Sequence, residues 1–246
     1  MNNQDPREEP VLIQPGAFNR RLSVRDNVLL AILPPYVTLA RAMAWAKWRK
    51  RRLDWGGLWD VPERRGGFSI AGPAIGAPSC VTMIETLIAN GAKRIVVAGC
   101  CGSLLENVRI GDIIIPTDAI SEEGASAHYA PNIYPPNADG ETVEMLKSAA
   151  VKRGWPCHAG TVWTTDAPYR ETCEKVKMYG NRGVMGVEME LSALFTVAGF
   201  RGAKLAAVLV VSDELALLTW KPGFLRPAFL SATKKAISLA IDVLKT

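Results

Sequence analysis

The sequence predicts an α/β domain built on a largely parallel or mixed sheet. Three observations predict it: near-continuous Val/Ile/Leu runs of strand length, helical periodicity between them, and turn residues at the junctions. The chain of 246 residues suits one large α/β domain, and 48% hydrophobic against 22% charged residues excludes a disordered polymer. No apolar run approaches the ~20 residues of a membrane span; the richest, 205–211, is strand length. The first residues, MNNQDPREEP, hold no apolar core, so no secretory signal is expected. The five cysteines are odd in number and Cys100 and Cys101 are adjacent, which opposes a disulfide framework. The expectation is a polar arm over 1–24 and one soluble, reduced, cytoplasmic domain over 25–246.

In chain order, the apolar run 28–33 is closed by Pro34 and Pro35 and fits a buried strand ended by prolines. Residues 37–53 set Val37, Ala40, Ala44 and Trp48 on one helical face. Residues 54–67 are rich in glycine and charge and predict a turn with short edge strands, followed by a strand over 68–71. Gly76 and Ser79, the latter a candidate N-cap, lead into a helix over 80–90 that stops at Gly91. The strand 94–98 runs into a predicted turn, Gly99-Cys100-Cys101-Gly102-Ser103, and 113–115 is a further strand. Residues 121–139 carry little pattern, and so long a loop inside a domain is usually functional or mobile. Helices over 141–153, 171–179 and 189–198, strands over 158–163 and 205–211, and an amphipathic helix over 228–244 complete the order.

The formal charge of +5 is uneven: Lys47, Arg49, Lys50, Arg51 and Arg52 cluster beside Trp45, Trp48, Trp55 and Trp59. Such a cluster suits an anionic partner or simply a solvated helix face. With no nucleic-acid motif beside it, the solvated face is the expectation.

Ligands of open α/β sheets bind beyond the carboxyl ends of the strands, and four such ends carry unusual residues. Gly76 to Ser79 offers close backbone approach and a helix start. Cys100, Cys101 and Gly102 follow a strand, in neither a Walker loop nor a dinucleotide fingerprint, and read equally as small buried thiols. Glu188, Met189 and Glu190 open an apolar helix; carboxylates there need partners, which sugar hydroxyls or the helix N-terminus itself would supply. Ser212 and Asp213 follow the most strand-like segment, where Asp213 is placed either as a general acid or as a helix cap.

Taken in order, the strings AGPAIGAPS, VVAGCCGSLLENVRIGDIIIP, EEGASAHYAP, TTDAPY, GVEMELSALFTVA and VVSDEL resemble the purine-nucleoside and uridine phosphorylase superfamily, with its related nucleosidases. The resemblance spans from about Val28 to the C-terminus. It implies a three-layer α/β/α sandwich around a mixed, partly closed central sheet, cleavage of a nucleoside N-glycosidic bond, and homodimers, often assembled into hexamers. Carried over residue by residue, Glu190 would hold the ribose hydroxyls, Met189 would pack on the sugar and Glu188 would support them. Asp213, beside Ser212, matches the acid that protonates N7 in purine-specific members. Cys100, Cys101 and Gly102 would lie along base and sugar; His128, Tyr129 and the stretch from Trp163 to Arg170 would border the pocket. No metal or cofactor is implied.

Departures from the family pattern refine the expectation. Phosphorolytic members carry a Gly-Asp-Pro turn with an arginine after the first strand; this chain reads Pro34-Pro35-Tyr36-Val37-Thr38-Leu39. They carry another arginine where this chain has Val97. Arg41, Arg64 and Arg65 are the available substitutes. Pro168 stands where an aromatic often stacks on the base, leaving Tyr169, Trp163 or Phe224 for that role. The nucleosidases' water-activating carboxylate and the phosphorylases' N-terminal histidine have no counterpart. The expectation is therefore hydrolysis of a purine-leaning nucleoside, with phosphorolysis at a rebuilt anion site or nucleoside binding without turnover as the alternatives.

Overall fold

The computed structural model describes residues 10–17, 22–46, 51–53 and 56–245. Most of the 47–52 basic cluster, with Trp48 and Trp55, lies outside the described residues. The open wing of the structure comprises β1 (Asn27–Ala31), α1 (Pro34–Ala44), β2 (Arg51–Leu53), β3 (Gly56–Asp60), β4 (Ser69–Gly72) and α2 (Ala77–Ala89). Then follow β5 (Arg94–Ser103), β6 (Ile113–Glu122), α3 (Gly140–Lys152), β7 (His158–Thr165), α4 (Cys173–Asn181) and β8 (Gly186–Glu188). The chain ends through α5 (Leu191–Arg201), β9 (Lys204–Glu214), β10 (Lys221–Pro222) and α6 (Pro227–Leu244).

The sheet order is β10-β9-β6-β7-β8-β5-β1-β4-β3-β2, and β9 pairs additionally with β5. That extra pairing closes β9, β6, β7, β8 and β5 into a ring and leaves β1, β4, β3 and β2 as an open wing. β1 runs parallel to β4 and β5, β5 runs parallel to β9, and β7 runs parallel to β6 and β8. These two parallel blocks meet in opposite directions, β5 antiparallel to β8 and β9 antiparallel to β6, which makes the closed sheet mixed. Buried on both faces, these strands read as continuous apolar runs, and every residue from Leu205 to Val211 is buried. Helices α1, α3 and α6 pack together on one side, α2 and α5 on the other. The longest, α6, presents Phe229, Ala232, Thr233, Ala236, Ile237 and Ala240 inward at three- and four-residue spacing. A second small core under α4 holds Trp163, Val176, Tyr179, Val184 and Val187.

The α/β/α architecture with a mixed, partly closed sheet matches the expectation; several boundaries do not. Pro34 and Pro35 start α1 rather than merely ending β1, because a fixed φ and a missing N–H are harmless in a first helical turn. That helix stops at Ala44, where Trp45 takes a left-handed conformation at φ 52°, well short of residue 53. The predicted turn at 99–103 is instead the end of β5. One register shift there, between Cys101 and Gly102, pairs Cys101 with Val211 and Gly102 with Asp213, so Ser212 is bulged out of the ladder. Ser79 lies inside α2, whose N-cap is Gly76. The helix expected from 189 starts at Leu191, after an unforeseen strand, β8. The long segment after β6 is ordered: the Glu123 carboxylate accepts from the Ala125 N–H at 2.5 Å, the Ser126 N–H at 3.1 Å and the Ser192 hydroxyl at 3.0 Å. Val24, assigned to the arm, is buried, and its N–H donates to the Asn90 carbonyl at 3.2 Å.

Candidate active site

A cavity of about 570 Å³ opens where the carboxyl ends of the strands converge, a size common for small-molecule sites. β5 supplies Cys100, Cys101 and Gly102, β8 and the start of α5 supply Glu188, Met189 and Glu190, and β9 supplies Ser212 and Asp213. The wall is mostly apolar, with Ile32 and Leu33 following β1 and Ile75 following β4.

Glu188 and Glu190 are both buried, with very different surroundings. One Glu188 oxygen accepts from the N–H groups of Glu190 and Leu191 at 2.7 and 2.8 Å, and the other accepts from the Thr164 hydroxyl. Glu188 thus satisfies the free amides of α5 from one turn upstream. Thr164 itself accepts from the Ser192 N–H at 2.9 Å, which ties β7 to the same helix start. Glu190, at the N-cap position of α5, takes one N–H from Gly76 at 2.7 Å. Gly76 reaches it with φ 81°, a left-handed conformation that favours glycine. Burial raises both carboxyls above the ordinary range, and Glu188 is raised further by the nearby Glu190. Glu188's acceptor sites are occupied by protein; Glu190 keeps capacity for donors from a ligand.

Asp213 stands across the cavity. The Ser212 hydroxyl lies 2.7 Å from one of its oxygens and 3.1 Å from the Cys101 carbonyl oxygen, and the Trp220 indole N–H donates to its other oxygen at 3.0 Å. A Cβ on Gly102 would fall 2.9 Å from an Asp213 oxygen and 2.8 Å from Leu215, so only glycine leaves the acid its place. The neighbouring Glu214 faces away, accepting from the Ile110 N–H at 3.1 Å and from Lys221 at 2.8 Å. Burial pushes the Cys100 thiol up to about 12 and raises Cys101 as well, so both are neutral packing groups rather than nucleophiles.

A model of the phosphorylase superfamily matches residues 64–245, about three quarters of the chain. The chain belongs to the phosphorylase superfamily. Among its relatives is a DeoD-type purine nucleoside phosphorylase of Bacillus cereus, 32% identical over 149 residues, which are 60% of this chain and 63% of that protein. A protein of the same name from Bacillus thuringiensis matches to the same extent, 32% over 149 residues. The matched stretch thus spans under two thirds of these relatives' length. The crystal structure of uridine phosphorylase from Vibrio fischeri ES114 superposes with a TM-score of 0.80 at 22% identity, covering 90% of this chain and 92% of that one, which establishes the shared fold.

Within this superfamily fold, the cavity brings together most of the residues singled out from sequence: Cys100, Cys101, Gly102, Pro168, Tyr169, Glu188, Met189, Glu190, Ser212 and Asp213. Two are placed elsewhere. Gly76 does not line the cavity; its amide serves Glu190 from behind. Trp163 is fully buried in the second core, 4.7 Å from the Tyr179 ring, with its indole N–H on Glu122 at 3.0 Å. An alternating strand turns Trp163 to that core, so it cannot stack on a base. His128 is exposed, and Tyr129 packs edge-on against Phe200 at 5.3 Å, so the long loop covers α5 and not the cavity. Arg41 lies over Trp59 and Arg65 over Trp45, and neither they nor Arg64 lines the cavity.

Sequence reasoning missed Glu171 and Trp220, both of which line the cavity. Trp220 carried one available signal, an aromatic in a loop seven residues after a candidate acid. Glu171 carried none, reading as an ordinary first-turn helix acid. Phe224, named as a possible stacking group, does line the mouth, 6.0 Å edge-on from Phe229. Among the described residues no His/Cys/Asp/Glu group could hold a metal ion, and no helix is long and apolar enough to cross a membrane.

Proposed function

We propose that this protein cleaves the N-glycosidic bond of a purine nucleoside with water, releasing the free base. The observation that carries the reading is the cavity wall, which among the described residues holds four carboxyl groups and no arginine, lysine or histidine. A phosphate dianion is normally held by arginine forks or nests of N–H donors. Here it would meet carboxyl groups, which repel it wherever they are ionised, and apolar Ile32 and Leu33 instead of cationic partners. A neutral nucleoside and a water molecule meet no such penalty.

As the glycosidic bond breaks, its electron pair moves to the base and the sugar becomes oxocarbenium-like. Asp213, oriented by Ser212 and Trp220, donates its proton to N7, a contribution of about 10²–10⁴-fold for a well-placed general acid. Glu190 accepts the ribose hydroxyls and fixes the sugar, while Glu188 holds the turn that aims it. Water adds to C1′ and its proton passes to solvent, from which Asp213 is reprotonated. Met189 packs against the sugar, and Phe224, Tyr169 and Trp220 offer the base its aromatic surroundings. Assembly from dimers belongs to the same proposal and is favoured by the exposed Leu217, Leu225 and Leu230.

The test is base release from a panel of nucleosides with and without phosphate, read by chromatography. Free ribose formed without phosphate is the expected result. The second reading is phosphorolysis with an anion site of different construction, favoured by the names of the Bacillus relatives. Release only with phosphate, with ribose 1-phosphate as product, would overturn hydrolysis and put it in place. Nucleoside binding without release in either arm would leave a binding protein.

A further inference from the structure

We propose that Glu171 reads the 6-substituent of the base, the neighbour of the N7 position addressed by Asp213. This deepens the proposed function and rests on it. Glu171 sits in the segment between β7 and α4, directly after the turn Pro168–Arg170 and before Thr172, whose hydroxyl oxygen caps α4 by accepting from the Lys175 N–H at 3.3 Å. The turn on one side and the cap on the other pin its backbone, and its side chain lines the cavity together with Asp213. Its carboxyl makes no side-chain hydrogen bond to any other described residue, in contrast to Glu188, Glu190 and Asp213. A half-buried acid without a partner, inside the pocket of an enzyme for a hydrogen-bonding base, is available to that base.

Its place within the pocket follows from its neighbours. Burial raises the Glu171 carboxyl to about 7, and the second cause is the negative charge of Asp213. Glu171 thus stands close enough to Asp213 to feel its charge, at the end of the cavity that Asp213 marks. The other titratable groups on the cavity wall are Glu188 and Glu190 from β8 and α5, Cys100 and Cys101 from β5, and Tyr169 on its own segment.

Purine N7 and the 6-substituent share one edge; a 6-amino group donates and a 6-oxo group accepts. Protonated, Glu171 both donates and accepts and suits either purine. Ionised, it only accepts, keeping a 6-aminopurine and repelling a 6-oxopurine. Selectivity at the 6-position therefore turns on the Glu171 proton. Glu188, Glu190 and Asp213 address sugar and N7, which both nucleosides share, so their contributions cancel in a ratio.

The experiment is calorimetric binding of carbocyclic inosine and carbocyclic adenosine, which lack the ring oxygen needed for an oxocarbenium ion and are not cleaved, to the wild type and to Glu171→Gln between about pH 5.5 and about pH 8. The inosine-to-adenosine Kd ratio is expected to climb by up to about tenfold in the wild type and to stay flat in Glu171→Gln. A flat wild-type ratio, or one that still climbs in Glu171→Gln, overturns the assignment while leaving base release intact. A climbing ratio with no base release from the nucleosides themselves upholds Glu171 and removes the cleavage reading. Failure to bind either analogue removes both.

Discussion

Replacing Glu188 and Glu190 by alanine, one at a time, sets a structural carboxylate against a ligand-facing one only two residues away. Glu188→Ala strips the acceptor from three donors: the Glu190 and Leu191 amides and the Thr164 hydroxyl. Each buried donor left unpaired costs about 1–3 kcal/mol, and water entering from the adjoining cavity relieves part of it. A net loss of about 2–4 kcal/mol follows, which in a chain of this length lowers Tm by roughly 4–16 °C. Glu190→Ala frees the Gly76 amide beside the cavity, where water replaces the carboxylate. Its Tm is expected to move by no more than about 3 °C. Nucleoside affinity has the opposite ranking: loss of the acceptor for two ribose hydroxyls weakens binding by about 10- to 100-fold. Calorimetric melting and nucleoside titration of the two variants are the assays. Equal Tm losses, or full nucleoside affinity in Glu190→Ala, would refute the division of labour.

Asp213→Asn keeps the shape and an acceptor for the Trp220 indole but has no proton for N7, so kcat/KM should fall by about 10²–10⁴ with little change in Tm, as steady-state kinetics and melting will show. Gly102→Ala places a Cβ against the Asp213 carboxyl and Leu215; activity should drop by at least about tenfold while ribose binding persists, and unchanged activity would contradict the tight fit. Burial raises the folded-state Glu190 carboxyl, so the unfolded chain releases that proton first and its contribution to stability falls as pH rises from the unfolded value near 4.5 through the raised one. The Tm of Glu190→Gln should accordingly gain on the wild type between about pH 5 and pH 8, and a constant difference would exclude the effect.

The apolar strands were plain from sequence because burial on both faces writes itself as uninterrupted Val, Ile and Leu, as in Leu205 to Val211. The amphipathic α6 was plain for the matching reason of helical spacing. Where side chains rather than patterns decide, legibility failed. The three-residue β8 is too short to show a period, and the order in the segment after β6 depends on one carboxylate, Glu123, reaching backbone and a distant serine. Trp163 was misplaced because an aromatic near a strand end gives no sign of which face it takes until the register is known. Asp213, Glu188 and Glu190 stood out as acids in apolar surroundings. Glu171 did not, since its burial is created by chain segments far away in sequence.

The bulge at Ser212 reaches beyond local geometry. In a regular ladder successive residues alternate faces, yet Ser212 and Asp213 both look into the cavity. The extra residue in β9 opposite β5 is therefore what brings the Ser212 hydroxyl beside Asp213 on the cavity side. Removing Ser212 would restore a regular ladder with Asp213 still opposite Gly102, and would take from the acid the hydroxyl that lies 2.7 Å from its oxygen. A chain-length change of that kind is invisible to substitution scanning. It offers a route by which a common scaffold can alter the hydrogen bonding of its acid, and one that redesign of this pocket should hold constant.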